Sequence, residues 1–391
     1  MELSYFSGRN ILILSPQPWN NLFISKHNYA RAFAVHNKVI YVGAPGHNKG
    51  GFKFTKPEKD INLQILEYNI PLPEKIKFHW NRVYQLFIKF TLKRIFKKEG
   101  IDFDVCIDFG CYQQYRSIHW IPAKTHIFFP VDDHYFLRIQ DRGANLIFSV
   151  SENICKKFSN SGKQCHFINH GLNREFEENA LRILNENDFW KRSNKATVGY
   201  SGNLFIPFLD IPVLKKIVSD NPWVEFHFFG DTRFDEKNKE HIEWDYFLRN
   251  ASNVVLHGFV HPKDLAQSLS SMDAFLLCYK PDYKNYHAEN SHKVFEYLST
   301  GKVLITTYLS IYSSNPLMLM SGKNKNEELP AIFTNTIESL ERYNSLALQK
   351  KRIALSLDNT YSRQIKRIEY LIKDVTKNSS YLEKSSRNND K

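Results

Sequence analysis

The feature that most constrains this chain is a repeated alternation of short, aliphatic or β-branched runs with longer amphipathic stretches. Asn10 to Ser15 (NILILS), Val39 to Val42, Asp104 to Phe109, Thr125 to Val131, Ala144 to Ser149 and Gln164 to Ile168 read as strands, with helices at Tyr29 to Val35 and Glu152 to Asn160. A second series follows at Ala196 to Tyr200, Trp223 to Gly230, Asn253 to Val260, Asp273 to Tyr279 and Val303 to Thr307, with a helix over Pro262 to Ser271. Apolar strands separated by helical patterns predict parallel sheets covered on both faces. Two such series predict two α/β domains. Ile337 to Leu357 and Ser362 to Val375 read as closing helices, and the Ser-, Asn- and Lys-rich tail from Lys377 as disordered.

Within this pattern, Asn285 to Thr307 (NYHAENSHKVFEYLSTGKVLITT) reads as loop, short helix and strand. Asn290 or Ser291 is placed to cap the helix and Gly301 to end it. Ligands of open α/β sheets bind where strands end and helices begin, so the loop is the expected site. Lys293 and Glu296, three apart, share a helix face, with His292 one position round. A cation can hold phosphate, and a carboxylate can hold sugar hydroxyls.

The formal net charge is +12, which calls for an anionic partner without choosing among nucleic acid, an acidic membrane face and phosphorylated small molecules. Five cysteines, odd in number and widely spaced with no Cys-x-x-Cys, indicate neither a disulfide framework nor a zinc site. The N-terminal MELSYFSGRN lacks a basic-then-apolar signal pattern, and no run approaches the length of a membrane span, so a cytoplasmic home is expected.

No G-x-G-x-x-G follows the first strand; its loop carries Trp19, Lys26 and His27, suited to an acceptor or to the far side of a cleft, or equally to Trp19 capping a core while Lys26 and His27 start a solvated helix. Asp132, Asp133 and His134 stand at the C-terminal edge of a later strand and could orient an acceptor hydroxyl or act as general base; Asp132 or Asp133 could equally cap a helix. Glu74 to Glu99 sets basic residues among aromatic and aliphatic ones, the composition of a helix lying on an anionic bilayer, or of a core-packed helix with a solvated basic face. No nucleic-acid recognition module accompanies it. In the second series, Ser201-Gly202-Asn203 is a tight turn whose backbone N–H groups could approach an anion.

The run Ser291 to Thr306 resembles the signature P-x-K-x-x-E-Y-L-A-x-G-K-P-V-V of nucleotide-sugar glycosyltransferases with the GT-B fold, and within them family 4 and its teichuronic-acid-type group. VGYSGNLFIPFLD, with Asp210, NVVLHGFV and SVSENICKKFSNSGKQCHFINHGLN are similar to further passages of that family, in the same order. The resemblance implies two Rossmann-like domains facing an interdomain cleft, with a last helix crossing back to the first. The corresponding bounds here are 1–178, a linker 179–195, 196–357, a crossover helix 358–376 and the tail 377–391. It implies that Glu296 holds the donor ribose and that the segment before it, with Glu289, Asn290, Ser291, His292 and Lys293, faces the donor sugar and phosphates. Backbone near Gly258 and Val260 would receive the base, and Asp132, Asp133 and His134 would face the sugar. Glu289 precedes Glu296 by seven positions where the family spaces its two acids by eight. Asn203 and an apolar stretch stand where many members carry an Arg and a Lys that clamp the diphosphate, leaving that role to Lys293, Lys280 or the helix N-terminus after Asn290.

The expected activity is transfer of a hexosyl unit from a nucleoside diphosphate sugar to a hydroxyl of a surface polysaccharide or lipid-linked precursor. By resemblance it would be retaining and metal-independent, need no cofactor beyond the donor, and act in the cytoplasm or peripherally on the inner face of the plasma membrane. A UDP-sugar epimerase and a non-catalytic scaffold binding membrane or glycan are the other readings.

Overall fold

The computed structural model describes residues 5–20, 23–47, 51–111, 114–132, 143–191, 194–281 and 290–388. The chain divides into two compact units, residues 1–169 with 361–391, and residues 170–360.

In the first unit the strands are β1 (Asn10–Leu14), β2 (Lys38–Val42), β3 (Gly51–Thr55), β4 (Leu63–Asn69), β5 (Phe103–Asp108), β6 (Ala123–Phe128), β7 (Leu146–Ser149) and β8 (Cys165–Phe167). The helices are α1 (Ser25–Ala34), α2 (Ile76–His79), α3 (Asn81–Lys98) and α4 (Glu152–Lys156). The sheet runs β3-β4-β2-β1-β5-β6-β7-β8, parallel except for the β3–β4 pair at its edge. β1 sits between β2 and β5 with Ile11 to Leu14 buried, which explains why NILIL is apolar at every position but the first. Each of these side chains contributes about 1.5–3 kcal/mol on burial. The β3–β4 hairpin is absent from the sequence reading. As an edge strand, β3 is half-exposed throughout, and GFKFT lacks the continuous apolar run that marks the inner strands.

In the second unit the strands are β9 (Thr197–Ser201), β10 (Glu225–Phe229), β11 (Val254–Gly258), β12 (Ala274–Leu277), β13 (Val303–Thr306) and β14 (Met318–Met320). The order is β11-β10-β9-β12-β13-β14, with every pair parallel. Its helices are α5 (Arg174–Glu186), α6 (Ile211–Asp220), α7 (Lys239–Asn250), α8 (Pro262–Ser270), α9 (Lys293–Leu298), α10 (Leu329–Glu338), α11 (Leu340–Tyr343) and α12 (Leu346–Leu357). The closing helix α13 (Tyr361–Asn388) returns to the first unit, where Tyr361, Ile368 and Ile372 bury among Tyr29, Phe33 and Phe129.

Three expectations are corrected. Residues expected to begin the linker form α5, whose Phe176, Ala180 and Ile183 recur at helical spacing and are buried in the second unit. Cys155 and Cys165 form a disulfide between α4 and β8, with Cα atoms 5.1 Å apart; a wide spacing in sequence is closed by the fold. The tail expected to lack structure from Lys377 continues α13 as far as Asn388.

Both sheets reverse their strand order at the first strand of the series. In the first unit the chain builds outward from β1 through β2 and β4, then resumes on the other side with β5. In the second it builds from β9 through β10 and β11, then resumes with β12. The C-terminal ends of β1 and β5, and of β9 and β12, are the two places where this topology opens a crevice.

Candidate functional site

At the second reversal, β9 ends at Ser201 and the chain turns through Gly202 at φ 130°, a backbone conformation that side chains strain. Gly202 N–H donates to Phe229 O at the end of β10 (2.7 Å), and a Cβ on Gly230 would collide with the Gly202 carbonyl. The two strand ends approach closely because both positions are glycine. A Cβ on Gly202 would also lie 2.6 Å from Lys293 Cε and 2.9 Å from its Nζ. The ammonium of α9 therefore lies across the turn that ends β9.

Tyr297 fixes this pairing. Its hydroxyl accepts from Ser201 N–H (2.8 Å) and lies 3.1 Å from Ser201 Oγ, while its ring stacks on Phe275 of β12 with centroids 4.4 Å apart. One buried side chain thus ties α9 to both strands of the reversal. Beyond the helix, Gly301 takes φ 82°, and buried Arg352 donates to Gly301 O (3.1 Å), Tyr343 O (2.7 Å) and Leu317 O (3.0 Å). A cation on carbonyls just past a helix is favourable.

Glu296, on the same helix, is a half-buried residue. The protein crowded around it pushes its pKa up to about 7, while nearby Lys293 pulls it down. Asn173 Nδ2 donates to Glu296 Oε1 (3.4 Å). Asn173 precedes α5 without capping it, and its buried Oδ1 has no hydrogen-bond partner among the described residues. Lys293 and Glu296 together offer a cation and an acceptor of hydroxyl protons at the end of a sheet. The pairing suits a ligand that carries both phosphate and a diol.

The other donor-side residues fall into place less uniformly. His292, not Asn290 or Ser291, is the N-cap of α9, and no side chain caps it. Asn290 Oδ1 instead accepts from Tyr312 Oη (2.8 Å), and Ser291 is buried with its carbonyl accepting from Val294 N–H. α9 is six residues long, and Lys293 is its first residue. The exposed His292 ring lies 6.1 Å from His170, centroid to centroid. Asn203 folds its side chain back, Oδ1 accepting from Phe205 N–H (2.8 Å), and so closes a turn. Lys280 Nζ donates to Pro207 O (3.3 Å) and pairs with Glu240 (3.6 Å). Gly258, at φ 68°, ends β11 and accepts from Gly230 N–H (2.8 Å), and Val260 packs on the core just beyond it. Glu289 lies outside the described residues.

At the first reversal, Lys26 and His27 are buried in the first turn of α1. Lys26 Nζ donates to Gln17 Oε1 (2.7 Å) and pairs with exposed Asp132 (3.4 Å). His27 Nδ1 accepts from Ile24 N–H (3.2 Å) and its Nε2 contacts Pro18 O (3.0 Å), while the ring stacks on Tyr41 and meets Trp19 edge-on. Burial, with Lys26 beside it, lowers its pKa to about 4. The ring is a neutral, buried bracket for the β1 loop. Trp19 is half-buried and lines a cavity of about 420 Å³ with Pro18, Gly43, Phe52, Tyr68 and Asn69. Asp133 and His134 lie outside the described residues.

Sequence reasoning missed Tyr297, the reach of Asn173 to Glu296, and Asp108. Asp108 ends β5 with its buried Oδ1 accepting from Gly110 N–H (3.1 Å) and Cys111 N–H (2.9 Å), and burial raises its pKa to about 6. Its signal was the polar residue closing an apolar strand.

No protein-family model matches the sequence, and no curated protein does. Solved structures match along nearly the whole chain. Sucrose-phosphate synthase from Thermosynechococcus elongatus is 11% identical with a TM-score of 0.63, over 94% of this chain and 99% of that one. HepE from Anabaena, solved with UDP and glucose, is 12% identical with a TM-score of 0.61, over 93% and 99%. The E. coli trehalose-6-phosphate protein bound with UDP-2-fluoro glucose is 10% identical with a TM-score of 0.64, over 92% and 98%. Likeness at these identities is likeness of fold, and the fold of this chain is GT-B, as the signature at Ser291 to Thr306 implied.

Proposed function

We propose that this protein is a glycosyltransferase that moves a hexosyl unit from a nucleoside diphosphate sugar to a hydroxyl acceptor. The observation that carries the reading is the meeting of Gly202, Lys293 and Glu296 at the strand-order reversal of the second sheet. Lys293 would neutralise the diphosphate as it leaves, Glu296 would hold the ribose hydroxyls, and Asn173 would orient the Glu296 carboxyl. Solved structures of the same fold that contain UDP or a UDP-sugar support a nucleotide donor. Glu289 would face the donor sugar, and Asp132, Asp133 and His134 the acceptor. The acceptor we propose is a surface polysaccharide or its lipid-linked precursor, and the reaction retaining and metal-independent. A lipid-linked acceptor would bring the enzyme to a bilayer; among the described residues no helix is long and apolar enough to cross one.

The test is thermal stability against a panel of nucleoside diphosphates, with Glu296→Ala in parallel. A ligand at a hundred times its dissociation constant adds about 2.7 kcal/mol. Stabilisation of the wild type by one nucleotide, lost in the variant, supports the donor site. No stabilisation by any nucleotide at millimolar concentration would overturn it in favour of a scaffold that binds no nucleotide.

A further inference from the structure

α3 carries two apolar stripes. Tyr84, Ile88, Leu92, Ile95 and Phe96 face the core and are buried. Val83, Leu86, Phe87 and Phe90 recur at three- and four-residue spacing, and at about 100° per residue they lie opposite the buried stripe. All four are exposed, Phe90 by 70%. Phe78 of α2 (64%) and Trp80 at the break between the helices (68%) are exposed as well.

The charge is arranged with equal definition. From Lys75 to Lys98 there are eight lysines and arginines and no aspartate or glutamate. Beyond Phe90 the outward stripe continues as Lys93, Arg94 and Lys97, so its first half is apolar and its second half cationic. Lys77 pairs with Glu74, and Lys98 lies over the Phe52 ring. Arg82, Lys93, Arg94 and Lys97 form no ion pair among the described residues.

We infer that this face docks on an anionic lipid bilayer. Phe78, Trp80, Leu86, Phe87 and Phe90 enter the boundary between headgroups and acyl chains, and Arg82, Lys93, Arg94 and Lys97 lie against headgroup phosphates. Charge decides among the occupants of the patch. A second copy would bring two acid-free cationic segments together, whereas an anionic bilayer answers the apolar half and the cationic half at once. The surface shares no residue with the donor site, and its binding to lipid does not rest on nucleotide recognition.

The experiment is co-sedimentation of the full chain with vesicles of phosphatidylcholine, alone or mixed with phosphatidylglycerol. The wild type should pellet with the mixed vesicles and bind pure phosphatidylcholine at least about tenfold more weakly, with binding falling as salt rises. The triple variant Lys93→Gln, Arg94→Gln, Lys97→Gln should lose on the order of a hundredfold, the sum of three surface cations. Phe78→Ser, Trp80→Ser, Phe90→Ser together should lose at least about tenfold with an unchanged melting temperature, because all three side chains are exposed. Equal binding by wild type and both variants would overturn the inference. So would failure of the wild type to bind mixed vesicles, including the case where it self-associates through Phe78, Trp80 and Phe90.

Discussion

The two strand-order reversals share a topology and are finished in opposite ways. At the first, Lys26, His27 and Asp108 are buried and satisfied by Gln17, Asp132, Ile24, Pro18 and the backbone of Gly110 and Cys111. At the second, Lys293 and Glu296 are half-buried, glycine keeps the backbone bare beneath the lysine, and the Asn173 amide oxygen beside them has no partner among the described residues. Topology alone selects where a crevice opens. Whether charges there are consumed by the fold or left for a ligand depends on the side chains around them.

The widest separation should come from matched glycine substitutions. Gly202→Ala drives a Cβ into Lys293 at a strained φ, and should reduce nucleotide affinity on the order of a hundredfold or more, read by calorimetry. Gly110 follows β5 at φ 89° with nothing within 4 Å of its missing Cβ, so Gly110→Ala should cost about 1–2 kcal/mol of stability and leave nucleotide affinity unchanged. Next in size, Lys26→Ala should destabilise by about 3 kcal/mol in urea, since it strips a buried cation from Gln17 and Asp108, again with nucleotide affinity intact. A loss of affinity with stability unchanged would break the comparison.

Asp108 supplies a pH signature of sealing. Its folded pKa of about 6 lies above the unfolded value near 4, so the folded state keeps a proton that the unfolded state has released. Its contribution is full below about pH 4 and is lost as pH rises through 6, on the order of 2 kcal/mol. Asp108→Asn should remove that slope relative to the wild type.

Glu296 supplies the counterpart in binding. Only the carboxylate accepts from both hydroxyls of a diol, so affinity for a nucleoside diphosphate sugar should rise as pH rises through about 7 and then level off. Glu296→Gln should abolish the rise and weaken binding about tenfold at pH 8. The smallest effect belongs to Asn173→Ala, about threefold in affinity with a shifted midpoint of that pH profile, which a purely structural role would not move.

Legibility in the sequence followed the range of the interactions. Continuous runs such as Ile11 to Leu14 and Val303 to Thr306 announce buried parallel strands, and the shared face of Lys293 and Glu296 is read from helical spacing, their roles from the resemblance of Ser291 to Thr306. β3 stayed hidden because an edge strand needs no apolar run, and α5 because Phe176, Ala180 and Ile183 sit among many charges. Tyr297 and Asn173 act on partners far along the chain, at Ser201 and Glu296, and no local pattern encodes such contacts. His27 reads in the sequence as a loop residue near a cleft; only the packing of Trp19 and Tyr41 around it reveals a bracket.

The return of α13 to the first unit sets an order of assembly during synthesis. Residues 170–360 form their unit from one uninterrupted stretch and can fold as soon as it has emerged. The first unit emerges earlier but is completed later, because Tyr361, Ile368 and Ile372 belong to the core that also holds Tyr29 and Phe33. At about 5–20 residues per second, the nascent N-terminal half waits on the order of tens of seconds with part of its apolar surface open to water. The unit begun earlier is thus the last to be sealed, and that interval is where its demand for chaperones falls.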